Sequence, residues 1–212
     1  MQPHSSNFRE ICMGTIAPKV LYRSEHPVCN IGQVNDIIIA ANTARIKTII
    51  NLSDTVASLK EKLVFSPWYK KRFDAHDVIT LGISMKFEIM EDDFTEKVKL
   101  GIEFMTAHEP PYLIHCEAGV DRAGSVAILL ESFMGTSFDD MVKDYMLSFV
   151  DSDSFSENDY NNGSRYLFNI FSKIKGGEAS LNDNFQALSE QYLKEYVCLS
   201  PDTLTLLSSR LG

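Results

Sequence analysis

The stretch HCEAGVDRAG, residues 115–124, sets a cysteine, two acids, two glycines and an arginine between two apolar runs. A loop that joins a strand end to a helix start exposes unpaired backbone N–H groups at the positive end of the helix dipole. Such a loop binds an oxyanion without net positive charge on the protein. Gly119 lets the chain turn tightly there, and Gly124 allows close packing of the helix. Cys116, at the strand end, faces the anion site, where the dipole and a nearby arginine favour the thiolate. Arg122, six residues on, reaches back over the loop, and its planar fork matches two phosphate oxygens. A thiolate, an oxyanion nest and a bidentate arginine together suit in-line attack on a phosphoryl group, giving a thiophosphate that water then hydrolyses. Glu117, Ala118, Gly119, Val120 and Ala123 would line the bound phosphate with their backbone, the Glu117 side chain pointing outward. His115 orients the loop through a hydrogen bond or simply packs at the strand end. The competing reading of the whole stretch is an ordinary buried strand–helix turn.

The flanking elements must supply that strand and that helix. YLIH (112–115) is a short apolar strand, and Ala123, Val126, Ala127, Leu130, Phe133 and Met134 recur at helical spacing, with Gly135 just past the end. VLYRS (20–24), IKTIIN (46–51) and VITLGIS (78–84) read as further strands. Residues 30–42 read as a helix with Ile31, Val34, Ile38 and Ala41 on one face and Asn30 as N-cap. Phe94, Val98, Ile102 and Met105 mark another, stopped by Pro110–Pro111. SPWYKKRF (66–73) is a loop or short helix, a further helix runs from Phe138 to Phe149 after Ser137, and 151–164 reads as a polar surface loop. Helices over 164–174, 183–197 and 202–211 complete the chain. Apolar strands alternating with amphipathic helices predict an α/β fold, a central mostly parallel sheet of about four to five strands flanked by helices. The 212 residues suit one domain, with 150–212 a helical C-terminal extension or cap.

The formal net charge of −9 gives no reason to expect nucleic acid or an anionic membrane as partner. No apolar run is long enough to span a bilayer, and the first residues lack the pattern of a signal peptide, so the expected location is cytoplasmic, or secreted if a leader was removed. Cys12, Cys29, Cys116 and Cys198 are scattered without a CxxC pair, which suggests neither a metal site nor disulfides, and the three other than Cys116 read as buried or partly buried thiols. The partner these features imply is a phosphorylated protein or a small phosphate ester.

HCEAGVDR resembles the HC-x5-R signature of cysteine-dependent protein tyrosine and dual-specificity phosphatases, and within them the bacterial and fungal members with HC-x-AGKDR-TG loops. LYRS (21–24), KTIINLSD (47–54), DYMLS (144–148) and YLKEYVCLS (192–200) extend the resemblance along nearly the whole chain. It implies a parallel-sheet phosphatase domain with no metal or organic cofactor. It also implies a proton donor: Asp121, by its match to the loop aspartate of the AGKDR members, with Asp92, Asp93 and Glu88 as alternatives on the loop where many relatives carry their acid. An acid beside a bound dianion holds its proton more tightly, as a donor must, although Asp121 could instead pair with Arg122 or cap the helix.

Two positions depart from the pattern. Ala123 stands where a hydroxyl residue helps the thiolate leave as the intermediate is hydrolysed, so turnover is in question more than attack. Val120 replaces the loop lysine, which weakens the case for a lipid bearing several phosphates, while HCEAGV also resembles bacterial inositol-polyphosphate phosphatase loops. Three readings follow: a tyrosine or dual-specificity type phosphatase, an inositol phosphate or phosphoinositide phosphatase with the same chemistry, and a phosphate-binding module impaired in turnover. A rhodanese-like sulfur transferase ranks behind these. Lys70, Lys71 and Arg72 read as a solvated face or as a rim that gathers anions, and Arg23 as a possible brace from the neighbouring strand.

Overall fold

A computed structural model describes residues 6–28, 34–150 and 154–212. Three short strands are buried along their whole length: β2 (Leu21–Ser24), β3 (Thr48–Asn51) and β5 (Tyr112–His115). Burial on both faces is what the interior of a parallel sheet demands, which is why LYRS, TIIN and YLIH lack polar alternation. With β1 (Arg9–Ile11) and β4 (Val78–Thr80) they form a five-stranded sheet ordered β1-β2-β5-β3-β4. All neighbours are parallel except β1, which runs antiparallel along β2.

Side chains alternate between two layers. Leu21, Ile50, Tyr112 and Ile114 enter one core cluster, whereas Tyr22, Ile49 and Leu113 enter the other. The second is covered by α1 (Val34–Thr43), α2 (Val56–Lys62) and α3 (Pro67–Asp74), through Ala41, Leu59 and Tyr69. The larger layer holds α4 (Asp92–Ala107), α5 (Asp121–Phe133), α6 (Phe138–Met146), α7 (Glu157–Lys175), α8 (Phe185–Glu195) and α9 (Pro201–Leu211). α5 is buried from Arg122 to Ser132 and packs against α6 and α8, while α9 lies on α4. Leu167, Phe171, Tyr192, Leu207 and Leu211 of the last three helices are fully buried in the same cluster as α5.

Register positions the site. Ser24 and Asn51 both lie opposite His115, so β2, β3 and β5 end level. The loops leaving these strands therefore converge at one edge of the sheet, where ligands of open α/β folds bind.

Several elements differ from their sequence reading. The strand expected over 78–84 stops at Thr80; Gly82 turns at φ +55°, although the N–H groups of Leu81 and Ile83 still reach the carbonyls of Asn51 and Leu52. The loop expected through 164 becomes helix at Glu157, because Ser156 and Asp159 form a reciprocal capping box. The helix after Ser137 ends at Met146, and SPWYKKRF lies mostly in α3, capped by the Ser66 hydroxyl. β1 has no counterpart among the expected strands. Cys12 and Cys198 are exposed rather than buried, Cys198 in a left-handed turn at φ +57°. Cys29, Ile31 and the Asn30 cap lie outside the described residues.

Candidate active site

The loop between β5 and α5 is held from outside by its carbonyls. Glu117 O accepts the His26 N–H at 3.0 Å, and Ala118 O accepts Asn7 Nδ2 at 3.3 Å. Gly119 O accepts both Asn7 Nδ2 at 3.1 Å and Arg23 Nη2 at 2.8 Å, and Val120 O accepts Arg23 Nη2 at 3.2 Å. With four successive carbonyls bonded outward, the N–H groups are turned the other way. Among the described residues none of the N–H groups of residues 117–123 finds an acceptor, the first inward bond being Gly124 N–H to Val120 O at 2.7 Å. This is the nest that anions occupy at a helix start. Gly119 makes it possible: it sits at φ +71°, and a Cβ there would lie 2.5 Å from the Ser24 carbonyl. Gly124 also does as its spacing suggested, since a Cβ would meet Arg23 Nη2 at 3.0 Å and the Tyr145 ring at 3.2 Å.

Cys116 is buried at the root of the nest, and Arg122 lies in the first turn of α5. Arg122 Nη1 donates to Ile83 O at 3.0 Å, which fixes one edge of the guanidinium to the loop after β4. Its Nε is buried without a partner, and among the described residues Nη2 has none either. The Nε–Nη2 edge, of the kind that can pair two oxygens of one oxyanion, is thus left open.

Arg23 is the brace that its position hinted at. It is fully buried, and besides the two loop carbonyls it donates to Asp144 of α6 at 2.7 Å. Arg9 of β1 grips the same carboxylate at 2.8 Å and the Asp144 carbonyl at 2.7 Å. Burial opposes charge on Asp144, but the two guanidinium groups outweigh it and hold the carboxyl below its ordinary range. DYMLS thus supplies a structural anion behind the loop.

His115 is fully buried; its Nε2 bonds the Tyr69 hydroxyl at 2.7 Å, and its Nδ1 faces Cys116 O at 3.5 Å. Burial, aided by the neighbouring His26, holds the imidazole well below its ordinary range, so it is neutral. Glu117 is exposed, as expected, while Val120 and Ala123 are buried under the loop.

The acids separate clearly. Asp121 is exposed at the start of α5 and lines a cleft of about 240 Å³ with Met85, Phe87, Glu88, Ser125, Tyr166 and Lys173. Glu88 shares this cleft but is ion-paired with Lys173. Asp92 and Asp93 sit instead in the first turn of α4, Asp93 paired with Lys97 at 2.6 Å. Asp121 has no hydrogen bond or ion pair among the described residues, so it neither pairs with Arg122 nor caps α5 through its side chain. Lys70 and Arg72 of α3 pair with Asp74 and with Asp77, which follows the helix.

Sequence reasoning missed the supports: Arg9, Asn7, His26 and Tyr69, and the Ile83 carbonyl. Only the asparagine and aspartate of NLSD, following an apolar strand, carried a signal for them.

These features define an α/β protein with a cysteine-bearing loop of unpaired N–H groups at the carboxyl edge of a mostly parallel sheet. A profile of the tyrosine phosphatase family matches residues 3–211, and the chain belongs to that family; it is a cysteine-dependent phosphatase. No curated protein is significantly similar in sequence. Among solved structures it is similar to the core catalytic domain of the PP-IP phosphatase SIW14 from S. cerevisiae in complex with citrate, at 18% identity and a TM-score of 0.46, covering 82% of this chain and 95% of that one.

Proposed function

We propose that Cys116 is the nucleophile, that Arg122 and the amides of residues 117–123 hold the phosphoryl oxygens, and that Asp121 is the general acid. The observation that carries the reading is the open Nε–Nη2 edge of Arg122 together with the run of unpaired N–H groups that follows the buried Cys116 thiol. The Cys116 sulfur attacks phosphorus in line as the bond to the leaving oxygen breaks, and Asp121 delivers its proton to that oxygen. Water then attacks the phosphocysteine, the S–P bond breaks, and the Asp121 carboxylate takes the water proton. Asp121 is favoured over Glu88, whose carboxylate is engaged by Lys173, and over Asp92 and Asp93, which lie on α4 away from the cleft lining.

The substrate that fits is an aryl phosphate of the phosphotyrosine kind, on a protein or a small molecule. The cleft beside Asp121 offers Met85, Phe87, Ile89 and Ile170 to an apolar group, whereas Lys173, its one cation among the described residues, is already paired. An inositol ring carrying several phosphates would meet Asp121 and Glu88 with little to neutralise it.

Pre-steady-state hydrolysis of para-nitrophenyl phosphate tests the reading. The expected result is a burst of nitrophenol that is lost in Cys116→Ser, followed by slow turnover because Ala123 supplies no hydroxyl to the departing thiolate. Absence of any release, with phosphate analogues still binding, overturns it in favour of a binding module.

A further inference from the structure

Asp54 follows β3 in the turn NLSD and is buried, yet its carboxylate receives four donors. They are His26 Nε2 at 2.5 Å, Lys62 Nζ at 2.7 Å, Asn51 Nδ2 at 2.9 Å and the Ser58 hydroxyl at 3.0 Å. Burial opposes the charge, but the hydrogen bonds from His26, Lys62 and Asn51 outweigh it and keep Asp54 ionised well below the ordinary carboxylate range.

The proton positions on His26 and His115 follow from what their other ring nitrogens face. His26 Nδ1 accepts the Val28 N–H at 3.0 Å, so the proton lies on Nε2 and points at Asp54. Asn51 Oδ1 accepts the N–H groups of Ser53 at 3.1 Å and Asp54 at 2.9 Å. Its amide nitrogen therefore faces Asp54 and the Tyr69 hydroxyl, the latter at 3.2 Å. His115 Nδ1 faces Cys116 O, which can only accept, so the neutral ring carries its proton on Nδ1 and its Nε2 accepts from the Tyr69 hydroxyl at 2.7 Å. A second arm is shorter: the backbone N–H of His26 donates to Glu117 O, the first carbonyl of the loop.

We propose that Asp54 is a positioning residue for the reactive cysteine: through Asn51, Tyr69 and His115 on one arm and His26 on the other, it keeps the carbonyls of Cys116 and Glu117 turned away from the phosphate. The inference rests on the reading of Cys116 as nucleophile. The groups that face this cluster are His26 from the turn after β2, Lys62 from α2, Tyr69 from α3, and His115 and Cys116 from β5 and its loop.

A structural anchor would hold the fold without touching reactivity, and a simple charge effect would act in the opposite sense. Removing the negative Asp54 favours a nearby thiolate on electrostatic grounds alone, so Asp54→Asn would then react faster. Loss of positioning makes it slower. The experiment is alkylation of Cys116 by iodoacetamide, whose rate reads the reactivity of the thiolate. Because Cys12 and Cys198 are exposed, the modification is followed on the peptide containing residue 116. Asp54→Asn and Tyr69→Phe are each expected to slow alkylation about ten-fold and to lower kcat for para-nitrophenyl phosphate by a similar factor with little change in KM. Asp54→Glu is expected to restore part of both. In Tyr69→Phe the ¹⁵N signals of His115 should show loss of the single Nδ1–H tautomer. Alkylation as fast as or faster than in the unmodified protein, with kcat intact, overturns the proposal. If Asp54→Asn fails to fold, Tyr69→Phe, which removes no charge and little volume, decides alone. If the unmodified protein releases no nitrophenol, the proposed function fails, while the alkylation rates still decide on positioning.

Discussion

Gly119 is the residue on which the geometry of the loop turns. Its φ of +71° lies where a side chain is strained, and the atoms that a Cβ would meet are the backbone of Ser24 and Glu25 at 2.5–2.6 Å. Backbone at the end of β2, held by its pairing with β5 and by the Glu25 N–H bond to Ser6 O, cannot yield as a flexible side chain does. Gly119→Ala is therefore expected to push the loop off β2 and to break the bonds from Arg23 and Asn7 to its carbonyls. Left-handed strain in a non-glycine residue costs about 1–3 kcal/mol, a modest fall in thermal stability for a chain of this length. The nest and the open edge of Arg122 need alignment, so kcat/KM should fall by about a hundred-fold or more. Parallel measurement of melting temperature and kcat/KM checks this. Equal activity with a lowered melting temperature would show that the nest tolerates displacement.

Four elements meet at the buried charges behind the loop: Arg9 from β1, Arg23 from β2, Asp144 from α6 and Glu131 from α5. Glu131 is fully buried, and among the described residues neither of its carboxylate oxygens has a hydrogen-bond partner. Burial, together with the nearby Asp144 charge, pushes its carboxyl well above the ordinary value of 4.5. The folded protein then keeps a proton that the unfolded chain releases, so Glu131 costs no stability below about pH 4.5 and an increasing amount as pH rises above it. Glu131→Gln removes that cost while keeping the shape. It is expected to gain about 1–3 kcal/mol at pH 7, and the gain should vanish near pH 4. Thermal unfolding at the two pH values tests it, and a loss of equal size at both would mean that Glu131 is ionised and serves the two arginines. The same cluster shows which parts of the fold were legible in sequence. Apolar runs and helical periodicity are local, so β2, β3, β5, α4 and α5 could be read directly, as could the loop with its cysteine, glycines and arginine. β1, three residues long with one buried, leaves too little pattern to read. The Ser156–Asp159 capping box was in the sequence, but the acidic composition around it pointed to loop. The grip of Arg23 on Gly119 and Val120 depends on β2 pairing with β5, a register that no window of sequence contains.

At the scale of the whole molecule, an acidic chain must accept an anion. The net charge is −9, while in the proposed reading the attraction at the loop comes from one arginine edge and a set of dipoles within contact distance. The two act over different ranges. A chain of this length has a radius of gyration of roughly 17 Å, so most surface carboxylates stand well away from the loop. Screening lengths shrink from about 30 Å at 0.01 M salt to about 8 Å at 0.15 M. Added sodium chloride therefore removes the distant repulsion while leaving the contact attraction largely intact. Between these salt concentrations kcat/KM for para-nitrophenyl phosphate is expected to rise by roughly two- to three-fold, with kcat unchanged, since association and not chemistry feels the long-range field. A fall in kcat/KM over the same range would mean that exposed cations steer the substrate inward. Lys70, Lys71 and Arg72 on α3 would then become that rim, despite the ion pairs that Lys70 and Arg72 make.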